Sequence, residues 1–121
     1  MKIKSSKAKG KRAVKEVVDL LYKHWPEGAE GDIALNRGSA SGEDIDLSPR
    51  ARQIFPFVIE VKNQEKLNVW QALEQAESHL KKAKEPEKLF PTLFFKRNNS
   101  KLFVSLPAED FLKLLKKEPV S

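Results

Sequence analysis

Ser41-Gly42-Glu43-Asp44-Ile45-Asp46-Leu47, followed after a basic turn by Phe57-Val58-Ile59-Glu60-Val61-Lys62, decides how the rest of the chain is read. Residues 55–61 form an apolar run rich in β-branched and aromatic side chains, preceded by Pro49 and interrupted by Glu60. This is the pattern of a strand buried on both faces. Side chains alternate along a strand, so Glu60 and Lys62 share one face, and Ile59 and Val61 the other. The same parity puts Asp44 and Asp46 together, with Ile45 and Leu47 turned into the core. Paired as neighbouring strands, the two segments bring up to three carboxylates and one ammonium to a single patch. Buried charge of this kind needs neutralisation. Mg²⁺ takes one or two carboxylates with waters and phosphate oxygens, which suits Asp44 and Glu60.

Composition narrows the classes. A chain of 121 residues suits one domain with a modest core, and the absence of cysteine excludes disulfides, zinc thiolates and cysteine nucleophiles. No apolar run has the length of a transmembrane helix, so an intracellular, cytoplasmic protein with no membrane contact is expected. Of the 23 basic residues, Lys2, Lys4, Lys7, Lys9, Lys11, Arg12 and Lys15 lie in an acid-free N-terminal stretch, which leaves 16 bases against 17 acids in the rest. The whole excess of +6 is therefore in this arm, and it suits a phosphate backbone. Residues 1–8 lack apolar periodicity and are expected to be a flexible arm, with a single domain over 9–121.

Working outward, Val14, Val17, Val18 and Leu21 predict a first helix from Lys9 onward, ended by Pro26 and Gly28. Residues 31–35 predict a first strand. It leads into a small polar loop in which Arg37, Ser39 and Ser41 can donate to a phosphate, or which can be an ordinary hairpin connection. Ser48-Pro49 favours a turn, and Arg50 and Arg52 beyond it either bind DNA or pair with Glu43 or Asp46. Val69, Ala72, Leu73, Ala76, Leu80 and Ala83 mark the clearest helix. Gln75 falls on its flank, on the same side as Gln71 and His79. His79 and His24 read as boundary residues, neither with a second histidine at ligand spacing. Residues 92–96 and 102–106 predict two strands joined by a basic, amide-rich hairpin tip, and Phe111, Leu112, Leu114 and Leu115 the apolar face of a last helix. The expected order is α-β-β-β-α-β-β-α, an α/β domain with a mixed sheet.

Gly42-Glu43-Asp44-Ile45 with Ile59-Glu60-Val61-Lys62 resembles the core signature of the PD-(D/E)XK nuclease superfamily. Within it the chain is similar to archaeal-type Holliday junction resolvases and to a group of small phage nucleases. Leu47-Ser48-Pro49, Ala51-Arg52, Phe55-Pro56-Phe57 and Asn63-Gln64-Glu65 extend the likeness to the phage group, and Trp70-x-Ala72-Leu73-x-Gln75-Ala76 carries it further. The resemblance implies a restriction-endonuclease-like core and a Mg²⁺-dependent endonuclease, with Mn²⁺ able to substitute, acting on branched DNA such as a four-way junction. It implies metal ligands at Asp44 and Glu60 with the Val61 carbonyl as a further one, Lys62 beside the attacking water, and Gln75 positioning Lys62 or the water. It also implies a homodimer. The helix-one acid of the resolvases falls here at Val14, which leaves Glu16, two residues on, outside the pattern. Gln71 is the alternative to Gln75, and Asp46 is not demanded by the pattern.

Lys9, Lys11, Arg12, Arg37, Ser39, Ser41, Arg50 and Arg52 form the expected DNA surface, one that reads phosphates and not sequence. Few aromatics interleave with these bases, which argues against a single-strand stacking platform. The same core also serves nickases and exonucleases on linear DNA. A non-catalytic DNA-binding protein with this fold is the reading from another class, and the intact Asp44, Glu60 and Lys62 oppose it.

Overall fold

A computed structural model of the chain describes the backbone of residues 2–36 and 42–116, with side chains from residue 8 onward. Helix α1 (Lys2–Lys23) leads to β1 (Ile33–Leu35), β2 (Ile45–Leu47), a short helix α2 (Pro49–Ile54) and β3 (Phe57–Asn63). Helix α3 (Val69–Lys81) and a single 3₁₀ turn at Pro86–Lys88 then precede β4 (Phe90–Lys96), β5 (Phe103–Ser105) and α4 (Ala108–Leu115). The molecule is α/β with a mixed sheet. None of its helices is long and apolar enough to cross a membrane, among the described residues.

β1 and β2 pair antiparallel, with Ile33 opposite Leu47. β3 and β4 run parallel from Phe57–Phe90 to Asn63–Lys96, and β5 adds antiparallel to β4 through Phe95–Phe103. A parallel pair needs a crossover, and α3 supplies it. Two hydrogen bonds at Asp44 link the ladders: its N–H donates to Ile59 O (3.1 Å), and its carboxylate Oδ2 accepts the Val61 N–H (2.7 Å).

The core lies between α1 and one sheet face. Ala13, Val17, Val18, Leu21 and Trp25 of the helix side pack with Ile33, Ile45, Leu47, Ile59, Val61 and Phe94. Strand alternation turns Val58, Glu60 and Lys62 to the opposite face, where α3 buries Ala72 and Ala76. The expected double burial of β3 is thus met, by α1 on one side and α3 on the other. Tyr22 joins α1 to β1: its hydroxyl donates to Ala29 O (2.9 Å) and accepts from the Ile33 N–H (3.0 Å).

Two differences from the sequence reading have simple causes. Helix α1 begins at Lys2 and not Lys9. Residues 2–8 hold Lys, Ile, Ser and Ala, with no Pro or Gly to interrupt the turn, although they carry no apolar stripe. The second difference is α2, which stands where a turn was expected. Ser48 caps it by accepting the Ala51 N–H (3.1 Å), and Pro49 sits in the first turn, where its missing N–H costs nothing. The order is therefore α-β-β-α-β-α-β-β-α, one helix more than expected.

Asp32 fixes the start of α2. It accepts the Ser48 hydroxyl (2.6 Å), the Ala29 N–H (2.7 Å) and the Arg50 guanidinium (3.2 Å). The Ser48 hydroxyl above all holds this carboxyl below its ordinary range. Ser48→Ala removes both the cap and the Asp32 contact and is expected to cost about 1 kcal/mol, read as a lower midpoint in thermal unfolding. Ser48→Thr, which keeps the hydroxyl, should recover most of that loss.

Candidate active site

The site is built at the join between the two ladders. β2 begins one residue after Asp44, and the Asp44 side chain replaces a backbone carbonyl as acceptor for the Val61 N–H, at 2.7 Å. Its carboxylate is thereby held beside β3. Asn36 closes the preceding loop from the other end: its N–H donates to Asp44 O (3.1 Å) and its side-chain amide to Glu43 O. Gly42 sits at φ +80, a conformation that favours glycine, and a Cβ there would meet His79 Nε2 at 3.1 Å. The glycine of the Gly-x-Asp motif thus lets the chain turn directly against α3.

Glu60 is 6% exposed and faces α3. Its Oε2 lies 3.5 Å from the Lys62 ammonium and its Oε1 3.2 Å from His79 Nδ1. The latter pair is close but poorly aligned, since both atoms are buried without a hydrogen bond among the described residues. Burial, and then the charge of Asp44, push the Glu60 carboxyl from its ordinary 4.5 up to about 7, against the pull of Lys62. Burial raises Asp44 too, opposed by the Val61 N–H and by the charges of Lys62 and His79. Two adjacent carboxyls are therefore held reluctant to ionise together, which is the electrostatic setting that a divalent cation relieves.

The donor set fits such an ion. Asp44 and Glu60 supply hard oxygens, and Glu60 Oε1 is a buried acceptor without a hydrogen bond among the described residues. No group of three His, Cys, Asp or Glu converges as a ready cage, among the described residues. Two carboxylates would leave the remaining positions of a divalent ion to water and phosphate.

Lys62, Gln71 and Gln75 line one small depression between β3 and α3, with Gln64, Leu67, Asn68 and Ala72. Both glutamines named from the sequence therefore face the lysine. Glu16 is elsewhere: it pairs with Lys96 (3.0 Å), which strand parity puts on the same, α1 side of the sheet as Phe94. The two arginines have intramolecular partners. Arg50 binds Asp32 and Glu27 O and lies 5.1 Å from the Trp25 ring centroid. Arg52 joins buried Glu43 (2.7 Å) to Phe57 O (2.6 Å). Lys11 and Arg12 are exposed on α1, with Lys9 partly so. Arg37, Ser39 and Ser41 lie outside the described residues.

His79 is the site residue that sequence reasoning set aside. Its signal was present in its position one helical turn beyond Gln75 on the same flank, the direction from which α3 reaches Glu60. A spacing rule for paired histidines could not reveal it, because its partners here are a carboxylate on β3 and a glycine before β2.

Because folding raises the Glu60 carboxyl from 4.5 to about 7, the native state keeps a proton that the unfolded chain releases between those values. The associated stability is complete below the lower value and lost as pH rises through the upper one. In metal-free protein, the difference in unfolding free energy between wild type and Glu60→Gln should decline across this window. A flat difference would mean that the carboxyl ionises normally. Arg52 gives a separate test: Arg52→Ala strips buried Glu43 of its guanidinium and is expected to cost about 3–5 kcal/mol in denaturant unfolding. Arg52→Lys should not restore it, since an ammonium lacks the fork that spans Glu43 and Phe57 O. Unchanged stability with weakened DNA affinity would instead assign Arg52 to phosphate binding.

A family model described as "phage putative PDDEXK endonuclease" matches residues 5–121. No curated protein and no solved structure matches the chain. The match runs from within α1 through α4 and takes in Asp44, Glu60 and Lys62. The chain belongs to this phage family of PD-(D/E)XK endonucleases, and it is a nuclease of that superfamily.

Proposed function

We propose that the protein is a Mg²⁺-dependent endodeoxyribonuclease that hydrolyses phosphodiester bonds in branched DNA, in the manner of a junction resolvase. The observation that carries the reading is the arrangement at the ladder join. Asp44 is pinned at 2.7 Å by the Val61 N–H, beside a buried Glu60 and with Lys62 3.5 Å from that carboxylate. A purely binding protein has no use for a buried and a half-buried acid held reluctant to ionise together.

Asp44 and Glu60 would hold the cation, with the Val61 carbonyl as a further ligand. The ion would supply Lewis-acid stabilisation of the charge that builds on the phosphate. Lys62 orients the attacking water and offsets charge on the pentacovalent phosphorus. Gln75 and Gln71 face Lys62 from α3 and restrict where its ammonium and that water sit. Lys9, Lys11 and Arg12 supply phosphate contacts that set orientation without reading sequence.

Branched DNA calls for two symmetric cuts, and a homodimer supplies them. Helix α4 supports this part: it buries none of its residues, and Phe111, Leu112 and Leu115 are 49%, 55% and 68% exposed. An apolar face of that kind is normally covered by a partner.

The test is cleavage with Mg²⁺ of a four-way junction, a linear duplex and a single strand side by side. Paired cuts confined to the junction are expected. Glu60→Ala and Lys62→Ala should each reduce the rate by at least about a hundredfold, and Gln75→Ala by less. Cutting of all substrates would leave a general nuclease. Binding without cleavage in every protein would remove the catalytic reading.

A further inference from the structure

The parallel register sets Lys62 beside Phe95, and the antiparallel register sets Phe95 beside Phe103. Paired residues project to the same side of a sheet. Lys62, Phe95 and Phe103 therefore form one cross-strand row on the α3 face, at about 5 Å per strand. The two rings are 6.0 Å apart at their centroids and inclined by 31°. Phe103 is 47% exposed although it sits in a strand, and the Lys101 ammonium lies 5.7 Å from its centroid.

The two rings of this row line a groove of about 510 Å³, together with Leu67, Val69, Arg97, Ser100 and Lys101. Its size is within the ~300–1,000 Å³ usual for small-ligand sites. Gln64 and Leu67 line this groove and also the depression that holds Lys62, Gln71 and Gln75. The groove thus adjoins the depression at Lys62. The one acid on its border, Glu65, is engaged by the Asn98 N–H at 2.7 Å.

We infer that this groove receives an unpaired nucleobase of the substrate strand, stacked on Phe103 and Phe95, next to the phosphate presented to Lys62. The chemistry selects that occupant. Aromatic faces accept a base of any sequence, the apolar walls exclude water from it, and the Arg97 and Lys101 cations meet its flanking phosphates. A fully paired duplex keeps its bases stacked inward and cannot fill the groove. A strand that leaves its duplex at a branch, bulge or flap presents such a base without the cost of opening a pair. The inference rests on the nuclease reading and deepens it: preference for branched DNA would come from this groove and not from the acidic motif.

The test uses the full chain with Ca²⁺ in place of Mg²⁺ and two oligonucleotides, a duplex with one unpaired 2-aminopurine and the same duplex fully paired. Stacking should quench the unpaired fluorophore on binding. Phe103→Ala should abolish the quench and weaken binding of the bulged duplex by about 5- to 100-fold, while affinity for the paired duplex stays the same. Phe103→Trp should keep both signals. Because Phe103 is half exposed, its truncation leaves the core intact, and unchanged circular dichroism checks this.

A quench that survives Phe103→Ala, or equal losses on both duplexes, overturns the inference. So does a change from dimer to monomer in Phe103→Ala without loss of the quench, which would give the groove to a second copy of the chain. Cleavage of DNA by the wild type in Mg²⁺ without any quench would discard the base pocket alone. Absence of both cleavage and DNA binding would discard the nuclease reading with it.

Discussion

The hydrogen bond from the Val61 N–H to Asp44 Oδ2, at 2.7 Å, is the constraint on which the site depends. At this point a sheet would ordinarily continue by backbone pairing. Instead the Asp44 N–H reaches Ile59 O, while its carboxylate takes the place of the next carbonyl. A side chain used in this way cannot swing out to water, so the charge stays where the strands converge. The same bond joins the β1–β2 ladder to the β3–β4–β5 ladder, which makes the position of the acid a condition of the fold.

Burial then creates a conflict that the fold does not relieve. Glu60 lies beside Asp44 with one ammonium, Lys62, to offset the two, and both carboxyls are raised by desolvation. The contrast is Glu43, next in sequence to Asp44 and, like Glu60, buried (4% exposed), which Arg52 contacts at 2.7 Å. Buried Glu43 is matched by a guanidinium, whereas buried Glu60 and half-buried Asp44 are held together beside Lys62 and the His79 imidazole. Structural needs alone would pair them all or replace them with apolar side chains. The unbalanced pair is therefore best understood through what it can bind.

Much of this was legible in residues 41–62, because alternation along a strand is a local rule. Ile45 and Ile59 are fully buried, and Glu60 and Lys62 share a face, as parity requires. What was not legible depends on contacts distant in sequence or on competing local signals. Ser48-Pro49 reads equally as a turn and as a helix start, and the Ala51 N–H that decides for the helix is visible only in three dimensions. His79 gains its role from Glu60 and Gly42, each many residues away. Arg50 and Arg52 had two readings, and intramolecular partners on Asp32, Glu43 and Phe57 distinguish their surroundings.

The division of labour between the sheet faces follows from the same alternation. The α1 face is an apolar layer from Ala13 to Trp25, and its ion pair, Glu16 with Lys96, lies at the strand end, away from the carboxylates. The α3 face carries Glu60, Lys62, His79 and the two glutamines beside an apolar patch of Val58, Leu93, Ala72 and Ala76. An acid on α1 would have to reach across the sheet to join them. Glu16 is instead engaged by Lys96, and α1 meets the sheet through apolar packing. The candidate site thus draws on β3, α3 and the Asp44 turn, and the β4–β5 hairpin with its paired rings borders the same face.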